Sequence, residues 1–338
     1  MKRIFLCAWV LMLVLFGYAQ QKPHYTQYVM NQFILNPALT GIENYTDIKI
    51  SHRHQWVGIQ DAPVTTYLSL HAPIGKKDLK TTATSFKVPG TNPRGKDYWE
   101  EYTASQPHHG IGLQVINDRT GPLNRFSAYA TYAYHLALGV RTNLSAGFAA
   151  GISNISLNAD KLSFDVPVDP AVFGSGVLNR VKPDFNVGIY MYSADYFLGL
   201  AVQQVVPQKV QYAKGAVVTE EGRLVPHFFV TAGYRLSMGD DFNLLPSVML
   251  KYVNPAPLQV DINAKLQYQD LVWLGVGIRP KDGFSGMVGL NVSNIMNVGY
   301  SYDYNTSQIH NFSKGTHEIL VGFIIGNRYG DSCPKNVW

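Results

Sequence analysis

The stretch QVDINAKLQYQD, residues 259–270, alternates between apolar and polar side chains almost without error. Side chains alternate across a β-strand with period two, so Val260 and Ile262 share one face while Asp261 and Lys265 share the other. In a soluble sandwich the apolar face would be the core. In an outer-membrane barrel the apolar face would meet lipid and the polar face would line the lumen. The environment that each face meets therefore distinguishes a soluble sandwich from a membrane barrel.

The amino-terminal residues have the pattern of a secretory signal peptide. Two basic residues precede the apolar run Ile4–Phe16, which is shorter than the roughly 20 residues that a membrane-spanning helix needs. Small residues follow the run. We therefore predict that residues 1–19 are a signal peptide, removed near Ala19 or Gln20.

The composition excludes several classes of protein. A hydrophobic content of 46% and a mean hydropathy of −0.05 exclude a disordered chain. No later segment is apolar enough for a transmembrane helix, and the charges form no basic block of the kind that binds nucleic acid. Once the signal peptide is removed, Cys333 is the single thiol, so we expect no internal disulfide.

Strand-like segments follow one another from residue 45 onward. We expect about 14 strands, an even number as in single-chain bacterial barrels. The predicted strands are 45–57, 62–74, 108–118, 122–138, 141–157, 183–193, 195–206, 225–238, 241–254, 257–269, 271–279, 283–293, 296–304 and 315–327.

The connections between these strands alternate in length. If the N-terminus is periplasmic, the periplasmic turns are short, and they lie at 139–140, 194, 239–240, 270 and 294–295. Long loops then lie outside, at 158–182, 207–224 and 305–314. This asymmetry is typical of transmembrane barrels, and a soluble sandwich has no reason to show it. We predict an all-β fold, a transmembrane antiparallel β-barrel of the outer-membrane type.

The predicted domain organisation is simple. Residues 20–44 form a periplasmic or lumen segment, 45–327 form the barrel, and 328–338 form a C-terminal tail. One connection breaks the alternation, because the long segment 75–107 follows the second strand and reads as an inserted loop. Within it, Tyr98 and Trp99 indicate either a contact patch or nothing beyond a tolerated insertion.

The residues offer little support for catalysis or metal binding. His52 and His54 share a strand face but lack further ligands at a usual spacing, and Asp160, Asp165 and Asp169 lack the spacing of a calcium loop. No P-loop, dinucleotide fingerprint or nucleophile elbow occurs. We expect no enzyme activity, no cofactor and no metal.

The charged residues of the opening stretch carry more information. A basic residue facing lipid at mid-membrane costs roughly 2–4 kcal/mol, so Asp261 and Lys265 must face the lumen. They lie about 13 Å apart along the strand, too far to pair with each other. They belong either to a polar lumen network or to a charged path for a partner.

Three blocks of sequence resemble the PorP/SprF family of type IX secretion system outer-membrane proteins. TQYVMNQFILNPALTG (26–41) looks like the family's opening motif, and HRHQWVGIQDAPVTTYLSLHAPI (52–74) looks like its first hairpin. VGYSYDYNTSQIHNFSKGTHEILVGF (298–323) is similar to its closing strands. The inserted loop 75–107 departs from the family, which passes between these strands through a short turn.

The resemblance implies an outer-membrane barrel of a Gram-negative bacterium that supports protein secretion or gliding. It would dock exported cargo proteins with C-terminal sorting domains, or other secretion components, for export or surface attachment, within the lipid of the outer membrane. The candidate partner-binding residues are Asn36, Pro37, Gln55, Trp56, Gly58 and Pro63. The alternatives are an outer-membrane channel for small solutes and a soluble periplasmic sandwich that binds a ligand.

Overall fold

The computed structural model describes residues 23–76, 99, 102–158, 161, 177–210, 222–269, 271–280, 282–293 and 295–326. The predicted signal peptide, the C-terminal tail and the three aspartates of the rejected calcium loop lie outside these residues. No helix within the described part of the chain is long and apolar enough to cross a membrane.

The chain folds into strands that alternate with turns and loops. In chain order the strands are β1 Thr46–His54, β2 Val64–Ile74, β3 His108–Thr120, β4 Leu123–Ala137, β5 Asn143–Asn158, β6 Val177–Tyr192, β7 Tyr196–Gln203, β8 Gln208–Val210, β9 Gly222–Leu224, β10 His227–Tyr234, β11 Leu236–Met238, β12 Phe242–Val253, β13 Gln259–Tyr268, β14 Val272–Arg279, β15 Gly283–Ser293, β16 Met296–Asn305 and β17 Thr316–Ile325.

Hydrogen bonding between neighbouring strands closes the sheet into a ring. β1 pairs with β2 on one side and with β17 on the other, and β10 pairs with both β7 and β12. β10 and β11 are two parts of one strand interrupted at Arg235, while β8 and β9 form a separate short ribbon. The result is a closed antiparallel barrel of 14 strands, which confirms the predicted fold.

The two ends of the barrel differ in their connections. At one end β4–β5, β6–β7, β11–β12, β13–β14 and β15–β16 join through short turns, and we call this the short-turn end. The opposite long-loop end faces the cell surface in barrels of this type. β5 and β6 are each 16 residues long. β6 therefore begins at Val177 rather than at residue 183, and the outer loop is shorter than predicted.

The two faces of residues 259–269 lie in different environments. Ile262 and Leu266 are 51% and 38% exposed on the outer surface, whereas Asp261 and Lys265 are buried on the inner face. Because the sheet closes on itself, its apolar outer face packs against no second layer in the described part of the chain at Ile262 and Leu266. An outward apolar face and an inward polar face are the arrangement of a membrane barrel.

The lumen is filled by residues 23–45, which we call the plug. The plug makes three short 3-10 turns, at Thr26–Val29, Gln32–Ile34 and Pro37–Leu39. Its apolar side chains pack against inward-facing side chains of the barrel, which are Tyr67, Ala201, Phe229, Met249, Trp273, Met287 and Leu320. The interior is therefore partly a hydrophobic core, and not the wholly polar lining that alternation alone predicts.

Candidate functional site

A buried cluster of charges holds the plug near the long-loop end. Arg53 on β1 lies 2.6 Å from Asp303 on β16 and 3.0 Å from Glu318 on β17. Thr26 of the plug donates its hydroxyl to Asp303 at 2.7 Å and its backbone N–H to Glu318 at 2.8 Å. We call Thr26, Arg53, Asp303 and Glu318 the clamp. All four are nearly fully buried, so each charge depends on the others for compensation.

Hydrogen bonds fix the middle of the plug to several strands. The Asn31 amide donates to the Ser69 hydroxyl at 2.8 Å, and the Gln114 amide donates to the Phe33 carbonyl at 2.7 Å. Gln203 donates to the Ile34 carbonyl at 3.0 Å. These contacts satisfy plug groups that no helix or sheet satisfies, as burial requires.

Glycines on three strands let plug residues 36–40 approach the barrel wall closely. A Cβ added at Gly110 would lie 1.9 Å from the Thr40 carbonyl oxygen, and one at Gly147 would lie 2.5 Å from the Pro37 oxygen. A Cβ at Gly188 would lie 2.0 Å from the Asn36 side-chain oxygen. Because real Cβ atoms cannot come this close, only glycine at these positions permits the observed seating.

Histidines surround the point where the plug leaves the lumen. His108 and His135 stack with ring centroids 4.4 Å apart, and their Nε2 atoms lie 3.2 Å from the Gly41 oxygen and 2.8 Å from the Thr40 oxygen. His71 accepts the Gly41 N–H at 3.2 Å. The histidines therefore bind plug backbone, a role that their sequence positions did not indicate.

Asp261 and Lys265 lie on the inner face. Arg279 donates to both carboxylate oxygens of Asp261, at 2.8 and 3.1 Å, and donates to Asp282 at 3.0 Å. The Lys265 ammonium lies 5.8 Å from the centre of the Trp273 ring. Asp261 is thus part of an ion-pair network with a neighbouring strand, while Lys265 lies above an aromatic face, which favours a cation.

A cavity of about 680 Å³ lies above the plug at the long-loop end, and we call it the outer vestibule. Pro23 and His24 of the plug, with Arg53 of the clamp, border it from within. Apolar side chains line it beside charged ones, and among them are Trp56, Pro63, Leu258, Asp118 and Asp282. The volume is in the range of ligand sites in proteins.

The structure separates the predicted partner-binding residues into two groups. Asn36 and Pro37 are buried in the plug, where Asn36 donates to the Ile189 and Leu200 carbonyls at 3.1 and 3.3 Å. Their contacts are with the barrel itself, which leaves them unavailable at a surface. The others, Gln55, Trp56, Gly58 and Pro63, lie in the β1–β2 loop at the long-loop end.

The β1–β2 loop is held in place by hydrogen bonds that its backbone N–H groups donate. Gln55 N donates to the Pro63 oxygen at 2.9 Å, and Trp56 N donates to the Thr316 hydroxyl at 3.1 Å. Gly58 has φ of 102°, a conformation that favours glycine. The loop therefore presents Gln55, Trp56 and Pro63 to the outer vestibule in a fixed arrangement.

The described part of the inserted loop packs against the short-turn end. Trp99 is 2% exposed, and the Arg235 guanidinium lies 3.7 Å from the centre of its ring. Arg141 donates to the Trp99 carbonyl at 2.7 Å. The interpretation of Trp99 as an exposed contact patch is therefore wrong, because its ring is buried in contacts within the chain. Tyr98 lies outside the described residues.

The histidine pair considered as a metal site faces outward. His52 and His54 are exposed, and His52 contacts the Thr66 hydroxyl at 2.8 Å. Within the described ranges, no group of three or more histidine, cysteine or acidic residues could hold a metal ion.

Comparison with known proteins gives one family. A model described as type IX secretion system membrane protein PorP/SprF matches residues 17–323. No curated protein sequence matches the chain significantly.

Solved outer-membrane barrels share only distant similarity with the chain. The Ralstonia pickettii toluene transporter TbuX has 10% identity and a TM-score of 0.48, with 87% of this chain and 92% of that chain covered. Omp33 of Acinetobacter baumannii has 7% identity and a TM-score of 0.46, over 85% and 100%. A Pseudomonas aeruginosa FadL homologue has 10% identity and a TM-score of 0.44, over 85% and 92%.

Proposed function

The chain belongs to the PorP/SprF family of type IX secretion system membrane proteins, and from that premise we propose that it docks exported cargo proteins at the cell-surface mouth of its barrel. The family is a class of secretion-system outer-membrane barrels and not a class of enzymes. Membership implies interaction with other components of the secretion system. The docking of cargo goes beyond what family membership implies.

One observation supports docking above the alternatives. The chain's own plug fills the lumen, yet a vestibule of about 680 Å³ remains at the long-loop end. A filled lumen is better suited to a protein that binds partners at the mouth of its barrel than to a protein that conducts small solutes. The alternative of a small-solute channel is weaker for this reason.

The vestibule has the chemistry of a protein-binding surface. Trp56 lies at its rim with the prolines and Leu258, and amide and hydroxyl groups lie among them. Buried tryptophans flanked by polar groups often contribute most of the binding energy at protein interfaces. A cargo protein that places apolar side chains here would exchange water for this surface. The mechanism is docking, with no covalent chemistry.

We expect the Trp56→Ala variant to lose most of its bound cargo. Loss of a central tryptophan typically weakens an interface by 2 kcal/mol or more, which is roughly a 30-fold loss of affinity. The measurement is affinity purification from outer membranes in mild detergent, followed by identification of the bound proteins. Deletion of residues 159–176, between β5 and β6, or of residues 207–224, between β7 and β10, should likewise abolish export of cargo while the barrel still assembles.

Val140→Ala is the matched control, because Val140 is 79% exposed in a turn at the opposite end. Heat-modifiable migration on gels shows that each variant has assembled its barrel. If Trp56→Ala and both loop deletions leave cargo recovery and export unchanged, the docking proposal is wrong.

A further inference from the structure

The plug runs through the barrel in one direction. Its earliest contacts are with Asp303 and Glu318, at the long-loop ends of β16 and β17. Its last contacts before β1 include Thr40 with Thr131 on β4, at 3.1 Å near the short-turn end. The chain therefore enters at the long-loop end and passes down the lumen. It then turns back into the barrel wall at Thr46.

The sequence predicted a periplasmic or lumen location for residues 20–44 but no direction of the chain through the lumen. β1 begins at the short-turn end, as a periplasmic N-terminus requires, but the residues before β1 return to the other end of the barrel. Pro23 and His24 border the outer vestibule, and both are only half-buried. The Lys251 ammonium lies 3.5 Å from Nε2 of His24, which places this end of the plug near the long-loop end of β12.

We infer that the amino-terminal end of the plug is presented at the cell surface and forms part of the partner-binding surface of the outer vestibule. The surface comprises Pro23, His24, Gln55, Trp56, Leu258 and Asn305. The partner it fits is an extended polypeptide segment with apolar side chains, because prolines and Trp56 offer apolar contacts while the amides can pair with peptide groups. This partner assignment rests on the proposed docking function, whereas the orientation of the plug does not.

The structure gives this surface a direct connection to the clamp. His24 is two residues from Thr26, whose hydroxyl and N–H both bind clamp carboxylates. Arg53 belongs to the clamp and also lines the vestibule. A polypeptide seated in the vestibule therefore contacts the end of the plug and one clamp residue together.

Cysteine labelling on intact cells tests the orientation. In a Cys333→Ser background, His24→Cys is exposed to a membrane-impermeant sulfonated biotin maleimide. We expect it to react on intact cells, as does Phe312→Cys, whose position is 77% exposed in an outer loop. Val140→Cys, at the short-turn end, should react only after the outer membrane is permeabilised.

Two outcomes would overturn the inference. If His24→Cys behaves as Val140→Cys does, the orientation is wrong, and Pro23→Cys repeats the test in case the first variant fails to assemble. If the cargo complex recovered in the docking experiment leaves His24→Cys as reactive as in the uncomplexed barrel, the plug end is not part of the binding surface. That second result would leave the docking proposal intact. Cargo binding by the Trp56→Ala variant tests docking and does not test the orientation of the plug.

Discussion

Replacing Arg53 with methionine should cost the barrel about 3–5 kcal/mol of unfolding free energy, since removal of one partner leaves buried charges uncompensated. Asp303 and Glu318 would then face each other in the lumen without their shared guanidinium. Without their shared guanidinium the two carboxylates should repel each other and weaken their hydrogen bonds to Thr26, so the amino-terminal end of the plug should become sensitive to protease. Urea unfolding of the barrel in lipid vesicles measures the first effect, and limited proteolysis measures the second.

The matched control is Lys161→Met, which breaks an ion pair with Asp61 at the surface. That pair is 2.7 Å long with its side chains 45% and 44% exposed, and exposed pairs typically contribute 0–1 kcal/mol. A triple variant, Arg53→Met with Asp303→Asn and Glu318→Gln, should recover part of the lost stability. Equal effects of Arg53→Met and Lys161→Met would contradict the role of the clamp.

Replacing both Gly110 and Gly188 with valine should displace plug residues 36–40 from the barrel wall and open the barrel to ions. The added Cβ atoms would lie 1.9 and 2.0 Å from the Thr40 oxygen and the Asn36 side chain. Overpacking typically costs about 1–3 kcal/mol at each site, and displacing the plug relieves the clash. In planar bilayers we expect a steady conductance from this variant and none from the parent chain.

Gly286→Val is the control for the glycine experiment, because no atom lies within 4 Å of a Cβ added there. It should leave both the conductance and the unfolding free energy unchanged. A double variant at Gly110 and Gly188 that assembles, remains closed and retains its stability would contradict the observed seating of the plug.

The barrel could be predicted because its signal is local. Residues 259–268 alternate with period two, and the same pattern recurs in the other strands. The start of β6 was missed for a physical reason. In the sequence of Val177–Lys182, apolar and polar residues occur at positions of both faces, so no apolar stripe marks a strand. The length of the β5–β6 hairpin therefore appears only in the pairing of its backbone.

The plug could not be predicted in the same way. Its 3-10 turns are too short to produce a periodic pattern, and their burial depends on strands distant in the sequence. A signal was nevertheless present on the inner face. Leu320 shares that face with Glu318, and Met249 and Trp273 lie inward on other strands. Apolar side chains directed into a lumen require something other than water beside them.

The clamp illustrates the same limit for polar residues. Arg53 and Glu318 are 265 positions apart, and Arg53 and Asp303 are 250 apart. All three lie within the sequence blocks that resemble the family, but only the closure of β1 against β17 places Arg53 opposite Glu318. Closure is a property of the whole barrel, so no local pattern reveals this pair.

Thiol cross-linking between the plug and the barrel wall tests the central claim most directly. Asn31 and Ser69 lie within 2.8 Å through their side chains, whereas Leu70 points to the opposite face of β2. In the Cys333→Ser background, Asn31→Cys with Ser69→Cys should be bridged by dibromobimane in native outer membranes and become fluorescent. Asn31→Cys with Leu70→Cys should not. Absence of bridging in the first pair, with both thiols freely reactive in an assembled barrel, would contradict a lumen filled by the chain's own amino-terminal segment.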